Sequence, residues 1–283
     1  MVTGYYPKTQ KDALQQLQMH PGAKLINGGT DANVTRKYAE HIIFLNQVQE
    51  FLQISVSDGV LRIGASATYR MLLASDCVPN LLKESMQQVA SPAIKTTGTL
   101  VGNICNASPA GDTLPVLYAL NAVIVKSRMD EGGLLVHQHQ PIEEFITGVR
   151  KLDLSETEMV TFVEIPVDSL ERYTLKRFEK VGARQAEAIA KLSFCGILWA
   201  ENGRIKDVRL TFGSVGTTVV RDRILEQSMI DMSLTDLNEK KEYYMQNYGK
   251  RIWPINDQRS TANYRKKVCL NLLNAFLEEA ACF

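Results

Sequence analysis

The apolar positions of this chain change period several times, and each change marks an element. Between Thr9 and Met19, Ala13, Leu14 and Leu17 fall at helical spacing and Pro21-Gly22 supplies a stop, which predicts a helix. Lys24 to Ile26 reads as a short strand, Gly28-Gly29 turns the chain, and Thr30 or Asp31 stands where it could cap a second helix. The apolar run His41 to Leu45 predicts the next strand, so the first fifty residues form a β-α-β-like unit. Val60 to Ile63 is another strand, followed by Gly64-Ala65 and a helix from about Thr68 that Ser66 or Thr68 could cap. Leu81 to Val89 is helical, Leu114 to Leu120 reads as a buried helix, and Ala122 to Lys126 as a buried strand.

Further on, Glu158 to Pro166 alternates apolar and polar residues in strand fashion and stops at a proline. Charged and turn residues then replace the pattern from Asp168 to Arg172, which predicts a domain boundary there. The last third starts with Tyr173 to Phe178 and contains the apolar strand Ala190 to Ala200. The turn Glu201-Asn202-Gly203-Arg204 is a hairpin signal into Ile205 to Gly213, and the last helix runs from about Ser260 to Glu279. Strands and helices interleave, yet several strands are joined by tight turns, so the fold class is α+β.

Composition narrows the function. At 283 residues the chain is long enough for two domains. Lys plus Arg number 32 against 31 Asp plus Glu, so no overall field draws the chain to nucleic acid or a membrane surface. The opening residues Met1 to Lys8 have no apolar leader core, and the longest apolar run, Leu114 to Val125, is short and carries Pro115 and Asn121. These features point to a cytoplasmic protein. The five cysteines (Cys77, Cys105, Cys195, Cys269 and Cys282) are scattered and never in a C-x-x-C arrangement, which argues against an iron–sulfur cluster, structural zinc or a disulfide framework within this chain. His137 and His139 alternate on a polar segment and supply too few converging ligands for a metal, so they read as a surface pair.

The candidate chemistry lies in two glycine-marked segments. One runs from Thr97-Gly98-Thr99-Leu100-Val101-Gly102-Asn103 through Ile104-Cys105-Asn106 to Ala107-Ser108-Pro109-Ala110-Gly111-Asp112. Its small hydroxyl and amide side chains suit a loop that lays its backbone against a large polar ligand: Thr99, Asn103 and Ser108 can satisfy phosphate and ribitol oxygens. Asp112 can accept from a ribose or ribitol hydroxyl, or can simply cap a helix from Asp112 to Leu120. The other segment is Lys24-Leu25-Ile26-Asn27-Gly28-Gly29-Thr30-Asp31, either a nest for a diphosphate or an ordinary strand-turn-helix joint. No G-x-G-x-x-G and no G-x-x-x-x-G-K-[ST] occurs, so neither Rossmann nor P-loop chemistry is indicated.

Together these segments resemble the FAD-binding (medium) subunit of the molybdenum hydroxylases, the xanthine dehydrogenase and carbon monoxide dehydrogenase family. Residues 98–112 match the family's G-T-x-G-G-N-I-x-x-A-S-P-A-G-D run at nearly every position, Val101 replacing the first glycine of its Gly-Gly-Asn. That isopropyl group would either crowd a diphosphate or point into the core. Asn27 replaces a small or apolar residue before Gly28-Gly29. Phe178-Glu179-Lys180-Val181-Gly182-Ala183-Arg184-Gln185-Ala186 resembles an aromatic-x-K-x-G-x-R-x-A run whose lysine lies near the flavin ring; on position alone Lys180 is equally a solvated strand lysine. Glu158 to Pro166 resembles the strand before the family's third domain, which places Val160 either against the ring or in plain core packing. Asp257 to Arg265 matches a D-x-R-x-[ST]-A-x-Y-R segment read as a structural joint, with Asp257 and Arg259 pairing and Ser260 capping the last helix.

The resemblance implies a two-subdomain FAD-binding fold (PCMH-like) over residues 1–170, with subdomains of about 1–57 and 58–170, and a smaller C-terminal α+β domain over 171–283. It implies FAD on this chain, held by Lys24, Leu25, Ile26, Asn27, Gly28, Gly29, Thr30, Asp31, Ala32, Thr99, Gly102, Asn103, Ser108, Asp112, Val160 and Lys180. No catalytic side chain and no metal ligand is expected here, because the protein's part is to hold and tune the flavin. Molybdopterin and [2Fe–2S] clusters are expected on two partner subunits of a heterotrimer, the iron–sulfur subunit passing electrons to FAD and FAD passing them to NAD⁺ or another acceptor. Two other functions remain open on the sequence: a self-contained flavin oxidase, and a flavin-free structural subunit for which Val101 is the argument.

Overall fold

The helical spacing of Ala13, Leu14 and Leu17 is realised in a helix Gln10–Met19 that buries all three, and the hydroxyl of Thr9 caps it by accepting from Asp12 N–H at 3.1 Å. The geometry is that of a computed structural model, which describes residues 2–35, 39–184 and 187–283. The chain groups into two compact units. The first comprises Met1–Pro79, Ala90–Ser108 and Asn121–Val167; the second comprises Asn80–Val89, Pro109–Leu120 and Asp168–Phe283. Helices Asn80–Gln87 and Leu114–Ala119 therefore group with the C-terminal residues, although they precede residue 170.

In the first unit, Thr3–Tyr5, His41–Phe44 and Lys24–Ile26 form a parallel sheet in that order. Its edge strand Thr3–Tyr5 has no apolar alternation and gave no signal in the sequence. Helix Thr30–Thr35 follows the Gly28-Gly29 turn, so Thr30 and Asp31 lie inside it instead of capping it; the carbonyl of Gly29 accepts from Asn33 N–H at 2.9 Å. A five-stranded antiparallel sheet is ordered Ile54–Ser57, Val60–Gly64, Met159–Pro166, Val123–Met129, Leu135–Pro141. Its central strand Met159–Pro166 is buried along most of its length, because both faces are covered. Of the two proposed caps for the next helix, Thr68 performs the role for Tyr69–Ala74, accepting from Met71 N–H at 3.3 Å.

The glycine-rich segment departs most from its sequence reading. It is not a continuous loop: Pro92–Thr97 and Leu100–Asn106 are both helical, joined at Gly98-Thr99. The physical reason is local. Thr99 caps the second helix, accepting from Gly102 N–H at 3.0 Å, and Leu100, Val101 and Ile104 give it one buried face.

In the second unit, Leu175–Val181, Leu192–Glu201, Arg204–Gly213 and Val220–Arg221 form an antiparallel sheet in sequence order. Asn202 and Gly203 have φ of +53° and +68°, as the hairpin signal requires. Phe194 and Phe212 on the sheet pack with Phe276 of the last helix Ala262–Ala280 and with Tyr248. That helix is capped by Thr261, accepting from Tyr264 N–H at 3.2 Å, not by Ser260. Asp257 does pair with Arg259, at 3.4 Å, and more closely with Arg265, at 2.6 Å. Helix Leu114–Ala119 is wholly buried, and its last carbonyls are answered by cations: Arg209 donates to Ala119 O at 2.9 Å and Arg221 to Tyr118 O at 2.6 Å.

Candidate functional site

Two turns of the first unit, far apart in sequence, are brought into contact. Strand Lys24–Ile26 ends in Asn27, and a Cβ built on Gly28 would stand 1.8 Å from the carbonyl oxygen of Thr97. Only a glycine admits this approach of backbone to backbone. Gly29 has φ of +65°, the left-handed region that releases the chain into helix Thr30–Thr35. On the other side, Gly98 O accepts from Tyr69 N–H at 3.0 Å, so both glycine motifs share one joint. Asn27 is held as well: its Oδ1 lies 2.6 Å from Ser66 Oγ, which is itself 2.9 Å from Leu45 O. The polar residue at this position is thereby explained by a partner of its own, and Ser66, proposed as a cap, serves here instead.

The remaining first-unit candidates divide by burial. Lys24, Leu25, Thr30 and Ala32 are half-buried, Asp31 is exposed, and Ile26 is buried. Thr99 is buried with its hydroxyl engaged as the helix cap, Gly102 is exposed, and Asn103 and Ser108 are half-buried. Val101 is 3% exposed, so its side chain belongs to the core and not to the surface facing a ligand. Val160 is likewise 4% exposed, on the central strand opposite Lys126.

The second unit holds Asp112 and Lys180. Asp112 does not cap helix Leu114–Ala119, which follows Thr113. Its Oδ2 instead receives Lys180 Nζ at 2.6 Å, and the same ammonium donates to Gln88 O at 2.8 Å. Lys180 is not a solvated strand lysine: its side chain is 4% exposed. Burial pushes the Asp112 carboxyl up to about 6, with the charge and hydrogen bond of Lys180 acting in the opposite direction. Asp112 Oδ1 is buried and has no hydrogen-bond partner among the described residues, which leaves an acceptor open to a donor. In the motif around Lys180, Gln185 and Ala186 lie outside the described residues.

Sequence reasoning missed Gln88 and Tyr69, which act through a carbonyl and a backbone N–H set by tertiary contact, and gave Ser66 a different role. It also missed Arg150, whose guanidinium reaches Asp31 and Asn106.

Residues 1–168 match the FAD binding domain in molybdopterin dehydrogenase, and residues 177–280 match the CO dehydrogenase flavoprotein C-terminal domain. The chain belongs to the molybdopterin dehydrogenase FAD-binding family. It is 25% identical over 282 residues to the xanthine dehydrogenase FAD-binding subunit of Escherichia coli O157:H7, covering 96% of this chain and 93% of that one. It is 27% identical over 278 residues to the glyceraldehyde dehydrogenase medium chain of Sulfolobus acidocaldarius, covering 95% of each. In fold it resembles carbon monoxide dehydrogenase from Hydrogenophaga pseudoflava, with a TM-score of 0.88 at 22% identity over 99% of this chain and 96% of that chain. Reconstituted CO dehydrogenase from Oligotropha carboxidovorans gives a TM-score of 0.88 at 20% identity over 100% and 98%. This family member is thus an FAD-binding subunit of a molybdenum hydroxylase complex, an oxidoreductase flavoprotein with the α+β architecture that the motifs implied.

The residues present fit the cofactor. FAD carries ribose and ribitol hydroxyls that can donate, and Asp112 Oδ1 is a buried acceptor without a donor. Among the described residues no cluster of three or more His, Cys, Asp or Glu could hold a metal ion, and no helix is long and apolar enough to cross a membrane.

Proposed function

We propose that this subunit carries electrons from a [2Fe–2S] partner to NAD⁺ or another acceptor, in a complex whose third subunit holds molybdopterin. The observation that carries the reading is the joint at Gly28 and Thr97, which unites two motifs that have no structural need of each other in the sequence. When bound, the flavin would supply the change from one-electron to two-electron chemistry, taking electrons one at a time from an iron–sulfur partner and giving them up as a pair to an acceptor such as NAD⁺.

The chain's own residues bind and tune. In the segment Lys24-Leu25-Ile26-Asn27-Gly28-Gly29-Thr30-Asp31-Ala32 the Gly28-Gly29 turn is the part that lays its backbone against the diphosphate; Gly102, lacking a side chain, keeps the helix surface open to the cofactor, and Asn103 and Ser108 line it. Thr99 contributes by fixing the helix that presents Gly102 and Asn103, since its hydroxyl is taken by the cap. Asp112 accepts a cofactor hydroxyl through Oδ1. Lys180 holds Asp112 in place and brings a cation that favours negative charge on the reduced cofactor. Val160 contributes packing. The cytoplasm is the proposed compartment, in keeping with five cysteines that are all free thiols.

Burial of Val101 removes the one argument for a flavin-free scaffold. The chain purified with co-expressed partners is expected to show a flavin absorption spectrum and to release FAD at about one per chain, as a tightly held cofactor does. A colourless complex overturns the reading. NAD⁺ reduction by the coloured complex then tests the acceptor; substrate turnover that reduces a dye but not NAD⁺ assigns the electrons elsewhere.

A further inference from the structure

Two segments of the first unit, at Asp31 and at Asn106-Ala107, converge on Arg150. Its Nη1 lies 3.5 Å from Asp31 Oδ2 and donates to Asn106 Oδ1, while Asn106 Nδ2 donates to Asp31 Oδ1 at 3.3 Å. The backbone beneath is pinned too. Arg150 N–H donates to Ala107 O at 3.0 Å, and these two non-glycine residues have φ of +55° and +44°. Ala107 takes this backbone as the C-cap of helix Leu100–Asn106, and Arg150 takes it in the turn between strands Ile146–Gly148 and Lys151–Leu152. The side chains of Arg150 and Asp31 are 55% and 48% exposed, and an ion pair so placed returns little stability. A pair that contributes so little to stability leaves its charge to act on the turn beside it.

The chemistry of the neighbourhood indicates which function. Asp31 stands two residues beyond Gly29, on the turn to which the diphosphate is assigned above. A bare carboxylate there would repel an anionic group. We propose that Arg150 is a positioning residue of the flavin site: it neutralises Asp31 and clamps it to Asn106, so that the Gly28-Gly29-Thr30 turn meets the diphosphate without a competing negative charge. Asn106 ends helix Leu100–Asn106 and Asp31 sits in helix Thr30–Thr35, so the clamp also ties the two glycine motifs at a second point besides Gly28.

This inference rests on the proposed placement of FAD, and the test separates the two. The full chain, stripped of flavin, is titrated with FAD for wild type, Arg150→Gln, Arg150→Lys and the pair Asp31→Asn with Arg150→Gln, and each apo-protein is melted. Arg150→Gln is expected to weaken FAD binding about tenfold or more with little change in melting temperature. Arg150→Lys should retain most of the affinity, and adding Asp31→Asn should recover much of what Arg150→Gln loses, because the uncompensated carboxylate is gone. Wild-type affinity in Arg150→Gln overturns the proposal. So does a double variant as weak as Arg150→Gln, which would give the arginine a direct contact with phosphate instead. A wild-type chain that binds no FAD overturns the assignment of the site itself, and this inference with it.

Discussion

Asp112 combines burial, an ion pair and an unanswered oxygen, and its titration gives the site a measurable signature. Burial raises its carboxyl from the ordinary 3.8 to about 6 even though Lys180 opposes the shift. The native state therefore binds the proton more tightly than the unfolded chain, and between about pH 4 and 6 it holds more protons. By linkage, stability from this group is highest below pH 4 and declines as pH rises to 6, then levels off. The decline amounts to roughly a hundredfold in the folding constant across that window. Asp112→Asn removes this titration, so the stability of the variant relative to wild type should rise between pH 4 and 6 when urea midpoints are compared. Parallel profiles would mean that another group titrates there.

At the scale of elements, the helix Leu100–Asn106 and the joint at Gly28 decide how the motifs are read. Val101 differs from the glycine of the family pattern, yet it is a core residue of that helix. Val101→Gly removes a buried side chain and adds a helix-interior glycine, a loss of about 2–4 kcal/mol. We expect it to lower the melting temperature without raising FAD retention; tighter retention would restore the idea that the isopropyl group crowds the cofactor. The two glycines of the first motif should also separate. Gly28→Ala forces a methyl into the Thr97 carbonyl and should prevent stable folding, since neither backbone can yield alone. Gly29→Ala meets only ordinary contacts and carries a left-handed backbone, a cost of about 1–2 kcal/mol. Thermal melts that rank Gly29→Ala as the more damaging would refute the close approach at Gly28.

For the molecule as a whole, much of the fold was legible because it is written in short-range terms. The helix at Gln10–Met19, the strand Lys24–Ile26, the Asn202-Gly203 hairpin and the strand Met159–Pro166 each follow from a period or a turn signal within a dozen residues. The family motifs were legible for the same reason, being contiguous. Their meaning was less so. Thr99 and Gly102 look like ligand contacts in the sequence, and the structure adds a local role to each: one caps a helix and the other leaves room for the cap. Thr3–Tyr5 was invisible because an edge strand with one neighbour needs no alternating apolar face.

By itself, then, the sequence determined the element types, the hairpin and the glycine positions that announce a flavin subunit, since all of these arise from propensities and periods of neighbouring residues. Tertiary structure alone decided that Gly28 must admit Thr97, that Val101 is core, that helices Asn80–Gln87 and Leu114–Ala119 group with the C-terminal unit, and that Lys180 pairs with an acid 68 positions away. It also decided that Arg150 answers an aspartate 119 positions away. The physical reason is common to all five. Backbone approach, burial and charge pairing depend on which surfaces meet when the apolar faces pack, and that meeting is a property of the whole chain that no local pattern encodes.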